Sequence, residues 1–191
     1  MADQTFLDAL LSRRSVRPRR LVEPGPEDAG LAQIVAAGLR GSDHGNLRPW
    51  RVIHVTDRGK LADMFIAAER ELRPDGDAEM IERATSRAKN GPCVLVLVAR
   101  IDEHAGSPRH EQWIAIGSAL NQMLLAAASL GFAGGILSGA KTTTTALRDG
   151  FGIAAEEQIV GFLTFGTAGG KPKPISPLDP QEYLATWPES P

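Results

Sequence analysis

Five residues near the N-terminus, Arg13-Arg14-Ser15-Val16-Arg17, put three guanidiniums and a hydroxyl into one short stretch. Arginine offers a planar fork of donors that matches phosphate oxygens, and a serine hydroxyl adds a short bond. The stretch follows an amphipathic segment carrying Phe6, Leu7, Leu10 and Leu11, so it can be aimed. Two readings stay open at this level, a solvated basic turn or an anion grip. A second constellation runs from Arg40 to Trp50, Arg40-Gly41-Ser42-Asp43-His44-Gly45-Asn46-Leu47-Arg48-Pro49-Trp50. It packs arginine, histidine, asparagine and aspartate between a helix end and a strand start, where ligand loops are usually held. His44 is either a ligand contact or an exposed turn residue beside a capping Asp43. His104, His110 and Glu111 lie in a loop-like interval and read as surface residues, so no metal is expected. The chain has no GxGxxG after a strand, no phosphate-binding GxxxxGK[ST], no nucleophile elbow and no His/Glu metal helix.

The elements that must position these residues follow from hydrophobic spacing. Thr5 to Arg13 reads as a helix, with Thr5 and Asp8 in capping-box spacing. Pro18, Pro24 and Pro26 impose an extended connection. Leu31, Ile34, Val35 and Leu39 repeat at helical period within Glu27 to Leu39. Trp50 to Val55 alternates as a strand. Arg58 to Arg73 and Asp77 to Lys89 are two further helices. Pro92 to Val98 is an uninterrupted apolar run, expected as a central strand buried on both faces. Pro108 to Leu130 is the longest helix; Trp113, Ile116, Leu120, Met123, Ala127 and Leu130 form one stripe, and Ile114, Gly117, Asn121, Leu124 and Leu125 widen it. Such a helix belongs in the middle of the protein or in a subunit interface. Ala133 to Leu137 is a short strand, Thr143 to Phe151 a short helix and Gln158 to Gly166 a strand. Four strands among six helices make a mixed α+β layout. From Thr167 onward the chain is rich in Pro and Gly, with Tyr183 and Trp187 near its end. Two large rings on an extended segment call for a surface to lie on, and a partner subunit is the natural one.

Composition narrows the class. The chain has 191 residues, of which 42% are hydrophobic and 23% charged, which suits one domain with a substantial core. A net charge of −2 removes bulk electrostatic attraction to nucleic acid or anionic membrane. The single cysteine, Cys93, lies in the apolar run and reads as a buried small hydrophobe without an intrachain disulfide. Gln112 to Ala140 contains no charged residue, but polar residues and Gly131, Gly134 and Gly135 interrupt it. A core helix followed by a strand fits it better than a membrane span. With no apolar secretion signal at the N-terminus, a cytoplasmic location is the expectation.

Taken in order, Arg13-Arg14-Ser15-Val16-Arg17, the loop from Asp43 to Trp50, Glu111-Gln112, Gly131-Phe132, Ser138-Gly139-Ala140, Ile159 to Leu163 and Gly166-Thr167 resemble the FMN-dependent nitroreductase family, in its small single-domain branch. The resemblance runs from about residue 7 to residue 180. It implies a nitroreductase-like fold over 1–191, with a mainly antiparallel central sheet flanked by helices. It also implies a homodimer with an extended C-terminal arm from about residue 167. FMN would lie at the interface in sites built from both chains, with NAD(P)H as reductant. A nitroaromatic, a quinone or a similar small oxidised acceptor would follow in ping-pong order. By position, Arg13, Arg14 and Ser15 match the family's phosphate and ribityl contacts. Arg40 and His44 match loop contacts, from the same or the opposite subunit, and Ile136, Leu137 and Ser138 match the segment that passes the flavin. Relatives often carry a basic triplet at this last place, where Leu137 cannot contact a phosphate. Lys171 or Arg17 supplies the cation, or FMN is held less tightly. Arg14 or His44 would stabilise the reduced ring, and no acid–base residue is required because the cofactor carries the chemistry.

Two other classes remain. A flavin-binding storage or sensing protein without turnover draws its support from Leu137. A nucleic-acid binder would use Arg13, Arg14, Arg17, Arg19 and Arg20, but no aromatics are interleaved with them.

Overall fold

The computed structural model describes residues 4–170, 174 and 179–188, the side chains of residues 4–6 and 9 excepted. The Thr5 capping interaction and Lys171 therefore lie outside the described residues.

Among the described residues, six helices flank a five-stranded antiparallel sheet. The helices are α1 (Gln4–Ser12), α2 (Asp28–Gly38), α3 (Arg58–Leu72), α4 (Ala78–Lys89), α5 (Arg109–Ser129) and α6 (Thr145–Gly150). The strands are β1 (Leu21–Val22), β2 (Trp50–His54), β3 (Cys93–Arg100), β4 (Ala133–Leu137) and β5 (Glu157–Ala168). β3 lies between β2 and β5. The other edge of β5 pairs first with β4 and then, at Thr167 and Ala168, with β1.

Every residue of β3 from Cys93 to Ala99 is buried, as its unbroken apolar run requires. Alternation sends Cys93, Leu95, Leu97 and Ala99 to one face, where they pack with Ile116, Ala119, Met123 and Ala127 of α5 and Leu31 and Ile34 of α2. Val94, Val96 and Val98 face the other way, onto Leu61, Phe65 and Ala68 of α3, Ala84 and Ala88 of α4, and Leu147 of α6. Opposite Leu97 and Val98 the register of β5 jumps from Gly161 to Ile159, which makes Val160 a bulge. One extra residue reverses the parity of the strand. Ile159 therefore joins the α3/α4/α6 face alongside Phe162, although Leu163 and Phe165, also odd-numbered, lie on the other.

Three local expectations change. β1 exists because Leu21 and Val22 meet the last residues of β5; two residues carry no periodic signal. The connection after Pro18 begins with a 3₁₀ turn, Pro18–Arg20, rather than fully extended chain. The helix expected over Thr143 to Phe151 divides into a 3₁₀ turn, Ala140–Thr143, and α6. The carboxylate of Glu71 in α3 accepts from the Thr145 and Ala146 amides and so caps α6. Cys93 is buried as expected, and burial pushes its thiol up to about 11 against the pull of Arg58. Among the described residues no helix is long and apolar enough to cross a membrane.

Candidate functional site

A cavity of about 920 Å³ opens on the α3/α4/α6 side of the sheet. Its apolar floor is Leu61, Phe65, Val94 and Phe162, with Leu72 and Leu137 at the sides. Phe65 and Phe162 meet edge to face, with ring centroids 5.2 Å apart. Among the described residues, Arg17, Arg19, Arg58, Arg73, Arg87 and Lys141 stand around this floor against a single carboxylate, Glu69. A volume near the top of the range for ligand pockets, with an apolar floor and convergent charges, is the usual form of a binding site.

Four of the cations, Arg58, Arg73, Arg87 and Lys141, are held in place. Arg58 donates to the carbonyls of Ala88 (3.0 Å), Gly91 (2.6 Å) and Pro92 (3.1 Å), closing the end of α4. Burial lowers its pKa from the ordinary arginine value. Glu69 is 3% exposed and accepts from Arg73, from Arg87 at 3.2 Å and from Lys141 at 2.8 Å. Burial pushes this carboxyl up, but Lys141 and Arg73 outweigh it and hold the pKa below the usual range. Lys141 Nζ also lies 4.9 Å from the centre of the Phe65 ring, within cation–π range.

The N-terminal basic stretch is fixed to β4. Ser15 bridges to Gly134 in parallel, and the Val16 amide donates to the Gly134 carbonyl at 3.0 Å. A Cβ at Gly134 would stand 2.6 Å from the Phe165 ring, and one at Gly135 would stand 3.4 Å from Ser15 Cβ. The glycine pair thus lets β4 lie close to β5 on one side and to the basic stretch on the other. The turn of chain after Val16 brings Arg17 to the cavity wall, and the end of β4 brings Leu137 and Ser138 to the same wall. Arg13, Arg14, Ser15 and Ile136 flank this point without lining the cavity. Leu137, where a cation was missing, is 52% exposed in the same wall as Arg17 and Arg19.

The loop from Arg40 to Trp50 sits elsewhere. The Ser42 amide donates to Ser118 Oγ at 2.7 Å, and His44 Nδ1 hydrogen-bonds Glu111 in the first turn of α5. Glu111 has its pKa lowered, chiefly by His44. Gly45, Asn46 and Arg48 have φ of 78°, 53° and 48°. The Asp43 carboxylate accepts from the Arg48 amide at 2.7 Å and holds that left-handed residue. Asp43 therefore closes the loop from within. α5 is about 30 Å long at 1.5 Å per residue. His44 is tied to its first turn, while Ser15 is tied to β4, which follows its last. One chain therefore does not present these two groups to the same small anion.

Sequence reasoning missed Glu69, Arg73, Arg87, Lys141 and the two phenylalanines of the floor. Glu69 and Arg73 look like an ordinary helix-surface pair at i,i+4 spacing, and Lys141 is separated from them by two helices and two strands.

Residues 10–167 match the model of the nitroreductase family. A protein of Escherichia coli (strain K12) named "Putative NAD(P)H nitroreductase YdjA" is 33% identical over 161 residues, which cover 84% of this chain and 87% of that protein. A nitroreductase-like family protein from Bacillus cereus superposes with a TM-score of 0.82 at 19% identity, over 99% of both chains. A variant of NfnB, an FMN and NADPH-dependent nitroreductase from sphigopyxis sp. strain HMH, gives a TM-score of 0.74 at 19% identity, over 95% of this chain and 98% of the other. These two structures share the fold, and the family match spans most of the sequence. The chain belongs to the nitroreductase family.

Proposed function

We propose that this protein is an FMN-dependent NAD(P)H oxidoreductase that reduces small oxidised acceptors such as nitroaromatics or quinones in ping-pong order. The observation that carries the reading is the cavity, where fixed cations ring an aromatic floor beside the basic stretch paired to β4. That donor set fits FMN, which joins a phosphate dianion to a flat, largely apolar ring. When bound, FMN supplies hydride transfer between NAD(P)H and the acceptor. The chain supplies binding, orientation and field. Arg13 and Ser15 are assigned to the phosphate and ribityl chain, Arg14 to the ring system, and Ile136 to Ser138 to the passing segment. Arg17, which lines the cavity, is assigned as the cation absent at Leu137, with Lys171 a second candidate from the arm.

Arg40 and His44 are assigned to the site of the opposite subunit, because within one chain His44 is tied to the far end of α5 from Ser15. A homodimer packed along α5 would bring them across. Ile114, Gly117, Asn121 and Ala128 are exposed on one stripe of that helix, with Ile114 at 63%, and Leu7 and Leu11 of α1 are exposed too. An exposed stripe of apolar and small residues with one amide is what a helix–helix seam can use. Residues 1–191 are read as one domain whose arm, carrying Tyr183 and Trp187 (91% exposed), lies on the partner. The cytoplasm is the proposed location.

The test is the visible spectrum of the purified protein followed by anaerobic mixing with NADPH. Flavin absorption that bleaches within a turnover supports the reading. A colourless protein that takes up no added FMN overturns it, and a bound flavin that never bleaches leaves the non-catalytic alternative.

A further inference from the structure

We infer that the cavity selects acceptors bearing a negative charge, with Lys141 and Arg73 as the specificity-determining pair; this rests on the flavoenzyme reading above. Among the described residues, six cationic side chains line the cavity against one carboxylate, an excess of five positive charges. Even a phosphate dianion placed wholly inside the cavity would leave three of them unbalanced. Three cations converge on Glu69 alone, so one carboxylate cannot neutralise the cluster. Charges fixed in a concave, partly apolar site focus potential and raise the local concentration of anions.

Location makes the excess selective. Lys141 is 19% exposed and held between Glu69 and the Phe65 ring, so its ammonium stands over the aromatic floor itself. Arg73 shares the same carboxylate but is 61% exposed at the cavity margin. An acceptor ring in the cavity beside Phe65 and Phe162 meets Lys141, whose ammonium stands over Phe65, in a lining that Arg73 shares. The geometry suits a flat acceptor with a carboxylate or sulfonate substituent better than its neutral isostere. In the reduction used as a readout, one NADPH and one proton convert a nitro group to a nitroso group and water, and NADP⁺ is released.

The experiment compares 4-nitrobenzoate with neutral 4-nitrobenzamide, using the FMN-loaded dimer and NADPH. The wild-type ratio of kcat/KM, anion over amide, is expected to fall several-fold between 20 mM and 500 mM NaCl, because screening removes the attraction. Lys141→Met should lower the ratio about tenfold, mainly by raising KM for the benzoate, and Lys141→Arg should restore most of it. Arg73→Met, at an exposed position, repeats the test with less risk to folding and should lower the ratio about threefold. A ratio unchanged by salt and by both methionine variants overturns the inference. Flavin content and the rate of reduction by NADPH are recorded on each sample, so failure of the flavoenzyme reading is seen separately as loss of the flavin signal.

Discussion

The two faces of β3 are built from one strand and end differently. Cys93, Leu95 and Leu97 are sealed beneath α5 and α2. Val94, one residue along, looks into a cavity of about 920 Å³. The difference lies in the covering helices. α5 carries no charged residue after Glu111, so nothing in it resists close packing. α3, the Arg73 that follows it and α4 bring Glu69, Arg73 and Arg87 into the lining of the cavity that Val94 and Thr164 share. Charged side chains keep water and one another, so those helices seal Val96 and Val98 completely, while beside Val94, itself packed against them, they leave a cavity. One face gives the fold its rigidity, and the other leaves room for a ligand against that rigid wall.

Replacing a residue of the sealed face should have the largest effect. Leu97→Ala removes a fully buried side chain and is expected to cost roughly 2–5 kcal/mol, read as a drop in the urea midpoint. A change under about 1 kcal/mol would mean that the α5 face is not tightly packed. Arg13→Ala touches neither face but should weaken FMN binding by roughly 1.5–3 kcal/mol, the size of a lost charge-assisted bond. A variant that stays fully yellow through gel filtration removes Arg13 from the site. On the outside of α5, Ile114→Arg should leave folding intact and dissociate the proposed dimer, and truncation after Gly170 should weaken it less. Sedimentation at low concentration measures both, and an unchanged dimer counts against the seam.

The next test concerns the sheet edge that both faces share. Glu157 accepts both bonds of Arg51 at 2.7 Å, and this pairing holds its carboxyl at about 2 instead of 4.5. Its folded pKa is lowered, so its contribution to stability is complete above about pH 4.5 and is lost as pH falls towards 2. Glu157→Gln should therefore destabilise the protein at neutral pH and converge with wild type near pH 2 in urea unfolding. Parallel curves across that range would show that the pair does not set the acid limb. The smallest effect is expected on the cavity wall. Leu72→Ala trims an exposed side chain beside existing empty space and should cost under about 1 kcal/mol, since little new cavity is made. A cost matching that of Leu97→Ala would erase the contrast between the faces.

Much of the fold was legible because its signals are local. The apolar run of β3 announced a doubly buried strand, and the spacing within α5 announced a central helix whose remaining stripe stays exposed at Ile114 and Gly117. β1 was not legible, because its two residues are a strand only by meeting Thr167 and Ala168. The site was legible in part. Side-chain chemistry marked the basic stretch and the Arg40–Trp50 loop, but not that they lie at different ends of α5.

The sequence by itself determined the α+β class, the central strand and helix, and the family, since hydrophobic period and ordered motifs are written along the chain. Only the tertiary structure decided which residues share a wall. Glu69, Arg73, Arg87 and Lys141 come together because α3, α4 and the turn after β4 pack around the same end of β3. The pairing of Ser15 with Gly134 depends on two glycines that let a neighbouring strand approach. Contacts between residues distant in sequence depend on packing, and packing leaves no period in the sequence to read.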